Sequence, residues 1–162
     1  SGATAPEWGD VSSTVLVQVQ HASIATLVSG NTAMPNDNTI PQNNEGFEVL
    51  TCAITPKSAT NRLLILGSVT HSTNDGTGNI LALFQDTTAG ALAAVVGFTN
   101  SQLHITKEME AGTTSETTFK LRIGPAGATK THYVNAIYAS TTVGFGGVSS
   151  TTLTIIEYTP PA

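Results

Sequence analysis

A run of four consecutive branched apolar residues constrains this chain more than any other feature of its sequence. Residues 63–66 are Leu-Leu-Ile-Leu, which leaves no polar side to face water. Runs of this kind favour a strand that is buried on both faces. Gly67 follows at once, which argues against a longer helix. We therefore expect residues 63–69 to form a central strand, packed on both sides.

Further segments along the chain have the composition or the period-two alternation of strands, with turn clusters of Gly, Asn, Asp and Pro between them. Pro56 lacks an N–H, so it ends the strand before it and opens a turn. The segments predicted as strands are residues 11–20, 24–28, 47–54, 63–69, 79–85, 91–98, 103–106, 118–123, 133–138 and 153–156. Roughly nine or ten strands without a convincing helix predict an all-β fold, an antiparallel β-sandwich or jelly roll.

One pair of segments leaves a helix open as an alternative. Residues 79–85 and 91–98 are rich in alanine, but the turn cluster at residues 86–90 interrupts any helical stripe. We favour a β-hairpin in which Gly90 takes a positive φ. Upstream, residues 29–46 hold successive turn clusters, and a loop of this length in a compact domain is often functional or ordered by its own contacts.

The composition indicates a single domain of extracellular or virion type. The chain has 162 residues, of which 40% are hydrophobic and only 10% are charged, so neutral hydroxyl and amide groups must supply its solubility. A net charge of −5 with few basic residues argues against a nucleic-acid partner. No apolar run approaches the roughly 20 residues that a membrane-spanning helix needs, and we predict no membrane insertion.

The first ten residues differ in composition from the rest of the chain. Residues 1–10 are small or turn-forming, with Trp8 as the one large apolar side chain. We interpret residues 1–10 as a linker or anchoring arm and residues 11–162 as one β-sandwich domain.

No catalytic constellation stands out. Cys52 lies in a predicted strand and is expected to be a small buried apolar residue, since nothing indicates the base or electropositive setting of a nucleophile. Glu108 and Glu110 share one face of a strand, whereas the carboxylates of glycosidases flank a bond from two sides. We predict no enzyme activity and no cofactor.

No metal site is predicted either. The four histidines lie on four different segments, whereas zinc ligands usually come in closely spaced pairs. A site that is assembled by folding, or by subunits on an axis, stays open. Residues 74–78 lack the alternating ligands and the closing Glu of a calcium loop. The histidines are His21, His71, His104 and His132.

Candidates for ligand binding are loop residues with planar or amide side chains, because rings offer apolar area to a sugar and amides bind its hydroxyls. These candidates are Asn74, Asp75, His132, Tyr133 and Phe145. Phe145 stands between glycines and is either an exposed tip or a plug in the core beneath a flexible loop. Of these two alternatives we favour the plug.

Several segments resemble a domain near the C-terminus of tail-fibre proteins of tailed bacteriophages. They are Ile40-Pro-Gln-Asn-Asn-Glu-Gly-Phe-Glu-Val-Leu, Ile54-Thr-Pro-Lys-Ser-Ala-Thr-Asn-Arg-Leu-Leu-Ile, Ala82-Leu-Phe-Gln-Asp-Thr-Thr-Ala-Gly-Ala-Leu-Ala, Met109-Glu-Ala-Gly-Thr-Thr-Ser-Glu-Thr-Thr-Phe-Lys-Leu-Arg-Ile-Gly-Pro, and Phe145-Gly-Gly with Thr152-Leu-Thr-Ile-Ile-Glu. Residues 1–8 resemble the stretch that joins a fibre shaft to this domain. The resemblance spans nearly the whole chain, and its motifs are turns and core strands that identify no catalytic residue.

The resemblance implies an extracellular virion protein on a phage tail or head, forming a homotrimer whose tip attaches to the bacterial surface, through a surface glycan. In such trimers apolar strand faces pack together, so Leu16, Val96 and Tyr138 are candidates for subunit contacts. The alternative is a capsid decoration or head-fibre protein, bound to other virion proteins through residues 1–10. A depolymerase that cleaves the glycan is a third class, which the missing pair of carboxylates disfavours.

Overall fold

The chain folds as a two-layer antiparallel β-sandwich in the computed structural model, which describes residues 14–73, 78–127, 130–138 and 140–160. A single short 3-10 turn, Gly144–Gly147, interrupts the strands within these residues. The strands are β1 Leu16–Ile24, β2 Val28–Gly30, β3 Phe47–Ile54, β4 Arg62–Ser72, β5 Asn79–Gln85, β6 Ala93–Gly97, β7 Ser101–Glu110, β8 Thr117–Pro125, β9 His132–Val134 and β10 Thr151–Tyr158. The predicted all-β sandwich is confirmed.

The first sheet has six strands built around β4. β10 pairs with one edge of β4 and β7 with the other, while β1 extends the sheet beyond β10. Past the end of β10, the short strand β9 pairs with His71 and Ser72 and carries β2 on its far side. β4 thus runs from the Pro56 loop to Ser72, and we call these two ends of the sandwich the Pro56 end and the Ser72 end.

The second sheet has four strands in the order β3-β8-β5-β6. Its inner face packs against the first sheet through side chains that alternate along each strand, as a period-two pattern requires. The alternation predicted for β8 is confirmed, since Phe119, Leu121 and Ile123 are all fully buried. The same holds for Leu153 and Ile155 on β10.

The hairpin between β5 and β6 is confirmed. The two strands pair antiparallel from Asn79 opposite Gly97 to Leu83 opposite Ala93, which excludes the helix. The residue with a positive φ is Asp86, at 49°, and not Gly90 as predicted. Asp86 accepts a hydrogen bond from the Thr118 amide at 2.8 Å, which holds the turn against β8.

The long loop at residues 31–46 covers the part of the outer face of the second sheet that β5 forms. Met34 is fully buried there in a cluster with Ile80, Ala82 and Phe84. The Arg122 side chain donates hydrogen bonds to two carbonyl groups near the end of this loop. β5 of the second sheet is therefore buried on both faces.

The prediction that residues 63–66 are buried on both faces is wrong. Leu63 and Ile65 point into the core and are buried, but Leu64 and Leu66 point outward, and Leu66 is 37% exposed. β4 is central in its sheet, as expected. In the described part of the chain, however, these two leucines face outward without the cover that the second sheet has.

The bounds and faces of β1 also differ from the prediction. A strand at residues 11–20 was expected; β1 begins at Leu16, ends at Ile24, and has a bulge between Leu16 and Gln18. The bulge adds one residue and reverses the alternation that follows it. Val19 consequently faces outward, 47% exposed, while Gln18 is half-buried.

The strand predicted at residues 133–138 is much shorter. β9 ends at Val134 because Asn135 adopts a left-handed conformation, with φ of 60°, and turns the chain away from the sheet. This turn sends the segment that follows across the Ser72 end of the sandwich.

Candidate ligand-binding groove

A groove of about 350 Å³ opens at the Ser72 end. It lies between the end of β4, the start of β7 and the segment after β9. Hydroxyl and amide groups line one side, and apolar and aromatic side chains line the other. The lining residues are Thr70, His71, Ser72, Asn100, Ser101, Gln102, Ala136, Ile137, Tyr138 and Phe145. This division suits a ligand with one flat apolar face and several hydroxyls.

Two aromatic side chains stand at the rim of the groove. Phe145 is 78% exposed and Tyr138 is 64% exposed. Phe145 also has a φ of 50°, a left-handed conformation that is costly for a bulky side chain. The interpretation of Phe145 as a plug in the core is therefore wrong, and the exposed-tip alternative is the one observed.

The turn that carries Phe145 is fixed from beneath by Asn135. The Gly144 amide donates to the Asn135 carbonyl at 2.8 Å, and Gly144 is buried. The Asn135 amide nitrogen donates to the carbonyls of Ile24 and Thr26, and its oxygen accepts from the Thr151 hydroxyl. Asn tolerates a left-handed backbone better than most residues, so one residue supplies both the turn and its anchor.

His71 forms the floor of the groove and is buried. The Ser101 hydroxyl donates to the Phe98 carbonyl at 2.9 Å, so it accepts from His71 Nε2 at 3.0 Å. This places the imidazole proton on Nε2 and leaves Nδ1 as a buried acceptor that has no hydrogen-bond partner among the described residues. Burial, and then the neighbouring His132, lower the pKa of His71 to about 4. His71 is therefore neutral at pH 7.

Folding brings together two histidines that are far apart in the sequence. The rings of His71 and His132 are stacked, with centroids 6.4 Å apart and planes 7° apart. His132 was predicted as a ligand-binding loop residue; it is fully buried on β9. Tyr133 is half-buried and pairs with Ser72 across the strands, and neither His132 nor Tyr133 lines the groove.

Of the three candidates for ligand binding that the structure describes, Phe145 lines the groove, and His132 and Tyr133 do not. Asn74 and Asp75, together with Trp8 and the rest of residues 1–10, lie outside the described residues. Asn100 and Gln102, whose side-chain amides line the groove, were not predicted from the sequence, and Tyr138 was predicted only as a subunit contact. Asn100 has a φ of 53° at the β6–β7 turn. The turn-forming residues around it are the sequence feature that could have indicated this side of the groove.

A second missed residue lies at the Pro56 end. Glu157 is fully buried and accepts hydrogen bonds from the side chains of Gln18 and Asn61 and from the backbone amides of Lys57 and Ser58. Burial alone raises the pKa of the Glu157 carboxyl, but these hydrogen bonds outweigh it and hold the pKa below its ordinary value. The carboxylate ties the Pro56 loop to β10.

The remaining titratable candidates are structural or exposed. Cys52 is buried and unpaired, as predicted, and burial raises the pKa of its thiol. Glu108 and Glu110 both lie on the exposed face of β7, as expected. Glu108 accepts hydrogen bonds from Tyr158 and Arg62, which lower the pKa of its carboxyl.

The described residues contain no group of three or more His, Cys, Asp or Glu side chains that could hold a metal ion. No helix among them is long and apolar enough to cross a membrane.

No protein-family model matches the sequence, and no curated protein matches it. Several solved structures match at low similarity. The C-terminal domain of EclA, a sugar-binding protein, is 15% identical with a TM-score of 0.36, covering 82% of this chain and 85% of that chain. A disulfide-linked pilus from Bacillus endospore appendages is 12% identical with a TM-score of 0.35, covering 99% and 100%.

VP2 of the infectious bursal disease virus subviral particle is 9% identical with a TM-score of 0.36. The match covers all of this chain and 42% of that chain. TM-scores this low do not establish a shared fold, so no property of these proteins is carried over to this chain.

Proposed function

We propose that this chain is a non-enzymatic attachment module of a phage virion, the terminal domain of a trimeric tail fibre, and that the groove at its Ser72 end holds a glycan of the bacterial surface. One observation carries the proposal. Phe145, a large apolar side chain, is held 78% exposed in a left-handed conformation at the rim of the groove.

An exposed phenylalanine with a positive φ is unfavourable for two reasons. Its apolar ring is in contact with water, and its backbone is strained. Strain of this kind costs about 1–3 kcal/mol and clusters at ligand-binding sites. The hydrogen bonds of Asn135 maintain the strained turn. A backbone turn that is fixed in this way presents its side chain before a ligand arrives, which lowers the entropic cost of binding.

The groove chemistry favours a sugar over a peptide or a phosphate. Tyr138 and Phe145 offer ring faces to the apolar side of a pyranose, while Asn100, Gln102 and Ser72 offer neutral donors and acceptors to its hydroxyls. Among the described residues no Lys or Arg lines the groove and His71 is neutral at pH 7, so an anionic group would find no counter-charge there. The expected affinity of one such open groove is low.

The virion location is supported by the resemblance to tail-fibre domains and by a surface with few charges. Several weak grooves on one particle gain strength through effective concentration, without any new contact. The decoration-protein alternative rests on residues 1–10 and Trp8, which lie outside the described residues, and the groove does not bear on it.

The test is binding of the purified chain to host cells and to their isolated surface polysaccharide. We expect Phe145→Ala to weaken binding at least about tenfold, since one stacked ring contributes about 1.4 kcal/mol or more. Tyr138→Ala should act in the same direction. Ile40→Ala is the matched control, because Ile40 is 62% exposed on the loop over the second sheet.

Equal binding by the wild type and by Phe145→Ala would contradict the groove assignment. Binding that is lost equally in Ile40→Ala would show a non-specific apolar effect. Release of reducing sugar from the polysaccharide would show depolymerase activity and would contradict the proposal of a non-enzymatic attachment module.

A further inference from the structure

Among the described residues, every exposed Phe or Tyr side chain lies at the Ser72 end. Phe98 is 69% exposed, Tyr138 is 64% exposed and Phe145 is 78% exposed. An exposed apolar residue on its own needs no explanation, whereas a group of them marks a binding site. Tyr138 and Phe145 line the groove, but Phe98 does not. Phe98 is therefore the exposed ring whose position the groove alone leaves unexplained.

The strand order places Phe98 and Phe145 on opposite sides of the end of β4. Phe98 precedes β7, which pairs with one edge of β4, with Ser101 opposite His71. On the other edge His71 pairs with β9, and the Phe145 turn is bonded to Asn135 directly after that strand. Neighbouring strands lie about 4.8 Å apart, so β7 and β9 are about 10 Å apart across β4. That distance is wider than one six-membered sugar ring.

The turn that carries Phe98 is fixed to the floor of the groove. The Ser101 hydroxyl donates to the Phe98 carbonyl at 2.9 Å and accepts from His71 Nε2 at 3.0 Å, so two hydrogen bonds join the turn to the imidazole. Gly97 holds the other side of the turn, because a Cβ there would collide with the Leu103 side chain. Phe98, like Phe145, is thus presented by a backbone that is ordered before a ligand arrives.

Polar groups lie between the two rings. Gln102 Nε2 donates to Ser68 Oγ at 2.9 Å, which leaves Gln102 Oε1 to accept a hydrogen bond from a ligand. The amide of Asn100 lines the groove on the same side, two residues after Phe98. Sugar rings carry their hydroxyls at the ring edge, so a chain of sugars that stacks on Phe98 and Phe145 would bring hydroxyls to these amides.

We propose that the glycan site extends past the groove to Phe98, and that its ligand is a segment of at least two linked neutral sugars. One sugar stacks on Phe145 in the groove, and the next along the chain stacks on Phe98. This inference rests on the proposed function and adds Phe98 to it as a residue that determines specificity for chain length. A single sugar reaches one of the two rings, whereas a longer segment engages both without a second entropic cost of association.

Binding of sugar fragments of graded length tests the inference. Partial acid hydrolysis of the host surface polysaccharide, followed by separation by size, supplies single sugars, disaccharides and tetrasaccharides. Calorimetry of the full chain with each fraction measures the dissociation constants. We expect the wild type to bind the tetrasaccharides at least about tenfold more tightly than the single sugars, because the longer fragment engages the second ring.

Variants at Phe98 separate the two rings. Phe98→Ala should remove the gain with length and leave the affinity for single sugars unchanged, whereas Phe145→Ala should weaken the binding of every fraction. Phe98→Tyr keeps a ring and should keep the gain. Val96→Ala is the matched control, since Val96 is a 44% exposed apolar residue on β6 just before the same turn. It should change neither quantity, and circular dichroism establishes that each variant keeps its strands.

Two results would overturn the inference and leave the proposed glycan site intact. One is a Phe98→Ala variant that binds the tetrasaccharides as tightly as the wild type does. The other is a wild type that binds single sugars and tetrasaccharides equally well. A wild type that binds neither the fragments nor the intact polysaccharide would overturn the proposed function, and this inference with it.

Discussion

The two ends of β4 differ in how far their buried polar groups are satisfied by hydrogen bonds. At the Pro56 end a buried carboxylate, Glu157, accepts four hydrogen bonds and ties a loop to the sheet. At the Ser72 end, ten residues along β4, the buried imidazole of His71 has one acceptor without a partner in the described part of the chain. An aromatic side chain, that of Phe145, is held in solvent at the same end. Buried polar groups are normally satisfied, so the exception needs a reason.

The left-handed residues show the same contrast. The described residues other than glycine include four with a positive φ. Two of them, Asn100 and Phe145, line the groove, and a third, Asn135, supports the turn that carries Phe145. Proteins keep strain of this kind where it serves binding, and the surrounding structure maintains it. The contrast teaches that the Pro56 end contributes stability, while the Ser72 end gives up stability to preform a groove.

The largest effect is expected from Glu157→Gln. The amide of Gln would place an N–H against groups that are themselves donors, which leaves buried donors unsatisfied and removes charge-assisted bonds. We expect the free energy of unfolding to fall by about 3–5 kcal/mol, with glycan binding by the remaining folded chain unchanged. Urea titration measures the first quantity and cell binding the second.

Glu108→Gln is the matched control, because Glu108 is an exposed carboxylate with two side-chain partners on the same sheet. Its stability should stay close to that of the wild type, since exposed ion pairs contribute little. If the two variants lose stability equally, the Pro56 end is not the special site that we describe.

Lowering the pH should reduce the free energy of unfolding because of His71. Its pKa is about 4 in the folded chain and 6.5 when unperturbed. Above pH 6.5 the residue is neutral in both states and adds no pH dependence. As the pH falls below that value, the unfolded chain binds a proton that the folded chain does not, so stability decreases until the pH reaches the folded pKa.

Between about pH 7.5 and about pH 5, His71 should account for a loss of about 2 kcal/mol in the free energy of unfolding. His71→Asn should flatten this part of the profile. A His71→Asn variant with the full wild-type slope would show that the imidazole is not desolvated at the floor of the groove.

The smallest effect, and the one with the opposite sign, is expected from Phe145→Gly. Glycine adopts a positive φ without strain, so the variant should gain up to about 1 kcal/mol in the free energy of unfolding, after subtracting the greater chain entropy of glycine. Glycan binding should fall at the same time. A loss of stability in Phe145→Gly would mean that Phe145 contributes packing that its exposure does not reveal, and the contrast between the two ends would weaken.

Much of the strand content was predictable because alternation is a local property. β3 and β5 have the bounds that the sequence predicted, and the turn at residues 86–90 gave the hairpin. The groove was predictable only at Phe145, where neighbouring glycines marked a special turn. The burial of Glu157 could have been predicted from the alternation along β10, since Glu157 follows Leu153 and Ile155 at a spacing of two residues.

The sequence by itself determined the all-β class, the central position of β4 in a sheet and the absence of a local catalytic motif, because each of these depends on neighbouring residues. Only the tertiary structure decided which sheet face a loop covers, that Leu64 and Leu66 point outward, and that His71 meets His132. Those outcomes depend on contacts between residues far apart in the chain, and no period or spacing within a single strand specifies them.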